Sequence, residues 1–161
     1  MAPTTLADLD KTRKACQGMV SRRALLSASA AVVPIPGVDI STDVAILLQL
    51  IPKINEQFGL SAEQIDALSP ELKKIVVVGG ASFGIGLLGK VITPSRVIQL
   101  LQKLGAKKLA GKYAAKYIPL AGAVISSTIS FVVLRKVGNQ HIDECYQMAK
   151  QLIETKHIEH A

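Results

Sequence analysis

The chain has 161 residues, and its 19 Lys and Arg against 12 Asp and Glu give a formal net charge of +7. This length suffices for one domain with a core of ordinary size, so neither disulfides nor a metal ion are needed to compensate for a small core. Two cysteines, Cys16 and Cys145, lie far apart without CxxC spacing. A disulfide framework and a zinc ribbon are therefore not indicated, and a reducing cytoplasm is the simpler expectation.

Apolar residues recur at helical spacing along nearly the whole chain, and strand-like alternation is scarce. We therefore predict an all-α fold, a multi-helix bundle in a single domain over residues 1–161. The predicted elements in chain order are helices over 6–33, 39–58, 71–92 and 118–137, a basic amphipathic region over 94–117, and a C-terminal helix over 139–157.

Proline, glycine and capping residues set the predicted boundaries. Proline removes a backbone donor and glycine tolerates a left-handed turn, so Pro34, Pro36, Gly37 and Gly59 are predicted stops. Ser61 with Gln64 has capping-box form and predicts a short third helix. The remaining predicted starts are Ser69 before Pro70, Thr93 before Pro94, and Pro119.

Two apolar segments, 75–89 and 118–134, contain no charged residue. Each is slightly shorter than the ~20 residues that a spanning helix needs. Insertion into a bilayer and burial as a hairpin in a soluble bundle are both open. Small residues in these segments permit close helix approach; the predicted helix-packing residues are Gly80, Gly84, Gly122 and Ser126.

Residues 72–142, which we call the acid-free stretch, contain eleven Lys and Arg and no Asp or Glu. Within it, the apolar residues over 97–104 share one helical face, a different apolar face forms over 106–117 after Gly105, and the lysines gather opposite that second face. Such a helix suits an anionic headgroup layer, although a surface helix with its lysines in water has the same pattern. The predicted membrane- or partner-binding residues are Arg96, Lys103, Lys107, Lys108, Lys112 and Lys116.

No motif for catalysis or for a cofactor stands out. Gly84, Gly89 and Lys90 form most of a Walker A loop, but Val91 stands where Ser or Thr must hold magnesium. His141 and Cys145 share one side of the last helix, yet no further metal ligand can be placed with them. We therefore predict a protein that is not an enzyme, with no catalytic, cofactor or metal residues, and we expect no nucleic-acid partner.

Two blocks of sequence carry a family resemblance. The first comprises RALL at 23–26, VVPIPG at 32–37, DVAIL at 43–47 and FGL at 58–60, and the second comprises IPLAGA at 118–123, SF at 130–131 and DEC at 143–145. In order and spacing these blocks resemble the C-terminal helical domain of immunity-related GTPases, and equally a bacterial helical domain that accompanies GTPases.

The resemblance implies an α-helical module that contributes to membrane association and oligomer formation beside a GTPase. The sequence holds no complete nucleotide motif and no GTPase domain, so GTP hydrolysis is not carried over. The leading hypothesis is a non-enzymatic module that binds an anionic membrane surface or a protein partner, located in the cytoplasm at the inner membrane or inserted in it. The alternatives are a soluble docking subunit for a separate GTPase or for self-assembly, and a membrane-inserting toxin-like hairpin.

Overall fold

The computed structural model describes residues 2–30, 38–82, 92–93, 96–97 and 119–159, with side chains for all of these except 27–30, 38–44, 119–130 and 159. All regular secondary structure within these ranges is helical, so the predicted all-α fold is confirmed. In chain order the helices are α1 (Leu6–Ala30), α2 (Val38–Gln57), α3 (Ala62–Asp66), α4 (Pro70–Ser82) and α5 (Pro119–Glu159).

Most of the predicted helix boundaries that fall on described residues are confirmed by their capping geometry. Gly59 follows α2 with a φ of 75°, the left-handed conformation that favours glycine. Ser61 and Gln64 form the predicted capping box at the start of α3. The hydroxyls of Ser69 and Thr93 accept from the backbone N–H groups three residues later, at 3.4 Å in both cases.

Helices α1 and α5 lie antiparallel along the bundle. The Nη2 of Arg13 donates to Oδ1 of Asp143 at 2.6 Å, and the hydroxyl of Tyr146 donates to Oδ1 of Asp10 at 2.8 Å. The Arg13 guanidinium also lies 5.0 Å from the centre of the Tyr146 ring. These contacts fix the register of the two helices, since each pairs an early residue of α1 with a late residue of α5.

The prediction of two helices over 118–137 and 139–157 is wrong, because α5 is one helix of 41 residues. Gly138 lies at the boundary between the two predicted helices. In the structure it sits inside the helix, where a Cβ atom would lie 2.7 Å from both methyl carbons of Val20 on α1. The glycine permits close approach of α1 and α5, so its role is in packing between helices and not in ending one.

Helix α2 completes the core against α1 and α5. Arg23 of α1 donates to Gln49 of α2 at 3.3 Å, and apolar side chains from all three helices are buried between them. Fully enclosed members of this core are Leu9, Val20, Leu47, Ile51, Ile54, Leu134 and Ile142. Helix α4 packs on the later half of α5, with Leu72 and Val76 buried.

Candidate functional site

The structure places only part of the predicted basic site. Lys103, Lys107, Lys108, Lys112 and Lys116 lie outside the described residues, so their role stays a prediction. Arg96 is described and exposed, and its backbone N–H donates to the hydroxyl of Thr93. The predicted packing residues are likewise divided: Gly84 lies outside the described residues, Gly80 is half-buried on α4, and Gly122 and Ser126 belong to α5.

Two glycines that sequence reasoning missed have a clear packing role. Gly138 meets Val20, as described above, and Gly79 of α4 approaches Met148 of α5 so closely that a Cβ atom would lie 2.6 Å from its terminal methyl carbon. Gly79 stands beside the predicted Gly80, whereas Gly138 lies 12 residues after Ser126, the nearest predicted packing residue. The small-residue pattern therefore indicated the kind of contact but not which glycine makes it.

Other basic residues of the acid-free stretch are described at the surface. Lys74 and Arg135 are exposed, and Lys73 is half-exposed. The Arg135 guanidinium lies 5.8 Å from the centre of the Phe131 ring. Salt bridges on the described surface join Lys11 to Asp8, Arg13 to Asp143, and Lys150 to Glu154.

A buried polar cluster joins α2 to α5. We call it the Asn55 cluster; its members are Asn55, His141 and Cys145. Oδ1 of Asn55 lies 2.8 Å from Nε2 of His141 and accepts from the Cys145 thiol at 3.4 Å, while the thiol sulfur lies 3.6 Å from Nε2. His141 and Cys145 are fully enclosed and Asn55 is 4% exposed.

Hydrogen-bonding geometry assigns the tautomer of His141. Because an amide oxygen can only accept, Nε2 carries the hydrogen and donates to Asn55. Nδ1 has no hydrogen-bond partner among the described residues. Because burial lowers the pKa of His141 to about 4, the imidazole is neutral at neutral pH, and it donates to Asn55 across the two helices.

Burial controls the ionisation of this region. It lowers the pKa of His141 to about 4 and raises that of Cys16, on α1, to about 11. The pKa of Cys145 is raised well above its ordinary value, mainly by burial and further by the Glu144 carboxylate and by Cys16. The side chains are thus a neutral imidazole and protonated thiols at neutral pH.

The Asn55 cluster has the residue types of a cysteine hydrolase site but lacks its electrostatics. A cysteine nucleophile acts as a thiolate and is activated by a nearby imidazolium. Here the thiol of Cys145 stays protonated and its surroundings are closed. The arrangement is suited to holding α2 on α5. Among the described residues, no three His, Cys, Asp or Glu side chains are placed to bind a metal ion.

Large apolar side chains are exposed at several places on the described surface, among them Leu6 and Ile158 near the outer ends of α1 and α5. Val77 and Val78 on α4 are 69% and 60% exposed. Leu25 on α1 and Val132 on α5 are more than half exposed, as is Leu26. None of the described helices is both long enough and apolar enough to cross a bilayer.

The fold and these surfaces define an all-α helical bundle with a closed polar cluster. Comparison with protein-family models, curated proteins and solved structures finds no match for the chain. The likeness to the helical domain of immunity-related GTPases therefore stays a prediction carried by the sequence blocks described above.

Proposed function

We propose that this protein is a non-enzymatic helical module that associates with an anionic membrane surface. The observation that carries the proposal is the acid-free stretch, in which eleven Lys and Arg occur over 71 residues without a carboxylate. The lipid-facing charge is assigned to Arg96, Lys103, Lys107, Lys108, Lys112 and Lys116. Each lysine close to such a surface contributes about 1 kcal/mol.

The charge distribution supports a surface role. The residues outside the acid-free stretch hold all twelve carboxylates and only eight of the bases, so the net positive charge belongs to the stretch itself. Exposed Lys74 and Arg135 extend that charge onto α4 and α5. A basic stretch at the surface attracts anionic headgroups over a distance of about one Debye length, ~8 Å at physiological salt.

The finer architecture belongs to the same proposal. It consists of two apolar, Gly- and Ser-rich helices on either side of a basic amphipathic region. The proposed location is the cytoplasmic face of the inner membrane. The proposed partners are anionic lipid, a GTPase and further copies of the chain. The family resemblance supports the latter two partners.

The test is flotation of the protein with phosphatidylcholine vesicles, prepared with or without phosphatidylglycerol. We expect the protein to float only with vesicles that contain phosphatidylglycerol and to be released by high salt, since salt screens surface charge. Equal flotation with both kinds of vesicle would contradict an electrostatic attachment. An absence of flotation with either kind would contradict the proposed function altogether.

A second candidate function is a docking subunit for a separately encoded GTPase. It is favoured by the apolar residues Leu25 and Val132, which are 59% and 55% exposed. The antiparallel register that brings Val20 to Gly138 places these two residues at a similar level of the bundle. A stable complex with a GTPase that the change Leu25→Ser weakens would support this function, and a complex insensitive to that change would count against this surface.

A further inference from the structure

Helix α4 is apolar on two opposite sides. Its inner side buries Leu72 and Val76, and its Gly79 approaches Met148 of α5. Its outer face, which we define as Lys74, Val77, Val78 and Ala81, is exposed throughout. These four positions have the spacing i, i+3, i+4 and i+7, so they form one continuous stripe along the helix.

An apolar outer stripe is unusual for a helix at the surface of a bundle. A surface helix buries one apolar face and presents polar or charged residues on the other. Here, after Lys74, the outer face contains only Val77, Val78 and Ala81, and the two valines are 69% and 60% exposed. The inner side already provides the packing of α4 against α5, so the outer face is available to something else.

The charge around the stripe indicates what that is. Lys73 and Lys74 lie one turn before the valines, and neither forms a salt bridge within the described residues. From Leu72 onward the helix carries no carboxylate, and its only acid is Glu71 in the first turn. An apolar stripe with lysines at one end is suited to the boundary of an anionic bilayer, where the lysines meet the headgroups and the apolar residues meet the acyl chains.

We propose that the outer face of α4 inserts shallowly into an anionic bilayer. Val77, Val78 and Ala81 enter the boundary between headgroups and acyl chains, while the ammonium groups of Lys73 and Lys74 contact lipid phosphates. One side of α4 packs on α5 and only the opposite side is exposed, so α4 meets the membrane along that one side and lies in its plane. This inference rests on the proposed function and identifies a second, apolar part of its contact.

A second copy of the chain is a less suitable occupant of this face. A stable protein interface buries about 800 Å² on each partner. Two valines and an alanine supply only a small part of that area. Binding to a bilayer does not need so large an apolar contact at this face, because the bases of the acid-free stretch also interact with the anionic headgroups.

The experiment compares Val77→Ser/Val78→Ser with the wild-type protein and with the control Val132→Ser. Serine and valine have similar helix propensities, and all three sites are exposed, so folding is preserved and is checked by circular dichroism. We expect the double variant to bind phosphatidylcholine–phosphatidylglycerol vesicles about tenfold or more weakly, because two apolar side chains no longer leave water. The control variant should bind like the wild type.

A fluorescent label gives an independent measure of depth. Cysteine introduced by Val77→Cys is exposed, whereas Cys16 and Cys145 are buried, so an environment-sensitive dye attaches selectively. Its emission should shift to the blue on addition of vesicles and be quenched by brominated acyl chains. A dye attached through Val132→Cys should respond much less.

The outcomes separate this inference from the proposed function. If wild-type protein binds in a salt-dependent manner but the double serine variant binds equally well, α4 insertion is wrong and electrostatic attachment stands. If wild-type protein binds no vesicles, both fail. If the wild type forms dimers without lipid and the double serine variant is monomeric, a second copy occupies the face and insertion is overturned.

Discussion

Asn55 connects two helices through one side-chain oxygen, which accepts from both His141 and Cys145. The sequence indicated that His141 and Cys145 share a helical face, because they are four residues apart. It could not indicate Asn55, which lies 86 residues before His141 and belongs to another helix. Pairing of polar groups across a core depends on tertiary register, and local spacing contains no information about that register.

Removal of the Asn55 amide should destabilise the protein. The change Asn55→Ala leaves the Nε2–H of His141 buried without an acceptor, which costs roughly 1–3 kcal/mol of unfolding free energy beyond the cavity it creates. Urea unfolding measures this loss. The double variant Asn55→Leu/His141→Leu replaces the cluster by apolar groups and should recover much of the lost stability. A double variant that is less stable than Asn55→Ala would contradict this account of the cluster.

The burial of His141 should make stability depend on pH. Its pKa is lowered from 6.5 to about 4 in the folded state, so the unfolded state takes up a proton first as the pH falls. The contribution of neutral His141 to the free energy of unfolding is fully present above pH 6.5. It is lost as the pH falls toward 4, by up to roughly 3 kcal/mol.

Urea midpoints measured across that pH range test the prediction. The matched variant is His141→Gln, whose amide can still donate to Asn55 but does not titrate. Its midpoint should change less between neutral and acidic pH than that of the wild type. Equal pH dependence in the two proteins would show that other groups are responsible.

At the scale of elements, local sequence predicted the helix caps, whereas tertiary packing determines the roles of the glycines. Ser61 and Gln64 cap α3 as expected, and Pro119 begins α5 as expected, because these signals act within one turn of the chain. Gly138, at the boundary between two predicted helices, lies inside the single helix α5. Because Gly138 has no side chain, Val20 of α1 packs directly against it. No sequence pattern near Gly138 specifies that contact.

Two glycine substitutions should therefore change stability in opposite directions. Gly18→Ala on α1 meets no atom within 4 Å and should stabilise by about 0.5–1 kcal/mol, the usual helix preference for alanine. Gly138→Ala places a methyl group 2.7 Å from Val20 and should destabilise by ~1–3 kcal/mol, as overpacking does. Thermal unfolding compares the two.

A compensating change provides the control for the glycine pair. In a Val20→Ala background, Gly138→Ala should cost less than in the wild type, because the side chain that it would meet has been shortened. An equal cost in both backgrounds would mean that the effect does not arise at the contact between α1 and α5.

At the scale of the whole molecule, composition and periodicity predicted a helical bundle, which the described residues confirm. The closed Asn55 cluster and the contact between α1 and α5 hold one side of this bundle together. The charge map is a separate property, since bases in the acid-free stretch contribute to surface potential more than to the core. The sequence predicts the net charge of each segment well, because charges add along the chain. It predicts poorly where those charges lie on the surface, because their positions depend on the fold.

The central claim is that the lysines of the acid-free stretch attach the protein to anionic lipid. The most direct measurement compares the vesicle affinities of two variants, each with five Lys→Gln changes and hence the same net charge. The first changes Lys103, Lys107, Lys108, Lys112 and Lys116. The second changes the five lysines outside the stretch, which are Lys11, Lys14, Lys53, Lys150 and Lys156.

The proposed function predicts that the first variant loses more than about a hundredfold in affinity for phosphatidylglycerol vesicles, and that the second stays within a few-fold of the wild type. Equal losses in the two variants would mean that only overall charge matters. An unchanged affinity in the first variant would contradict the claim that these lysines bind the membrane.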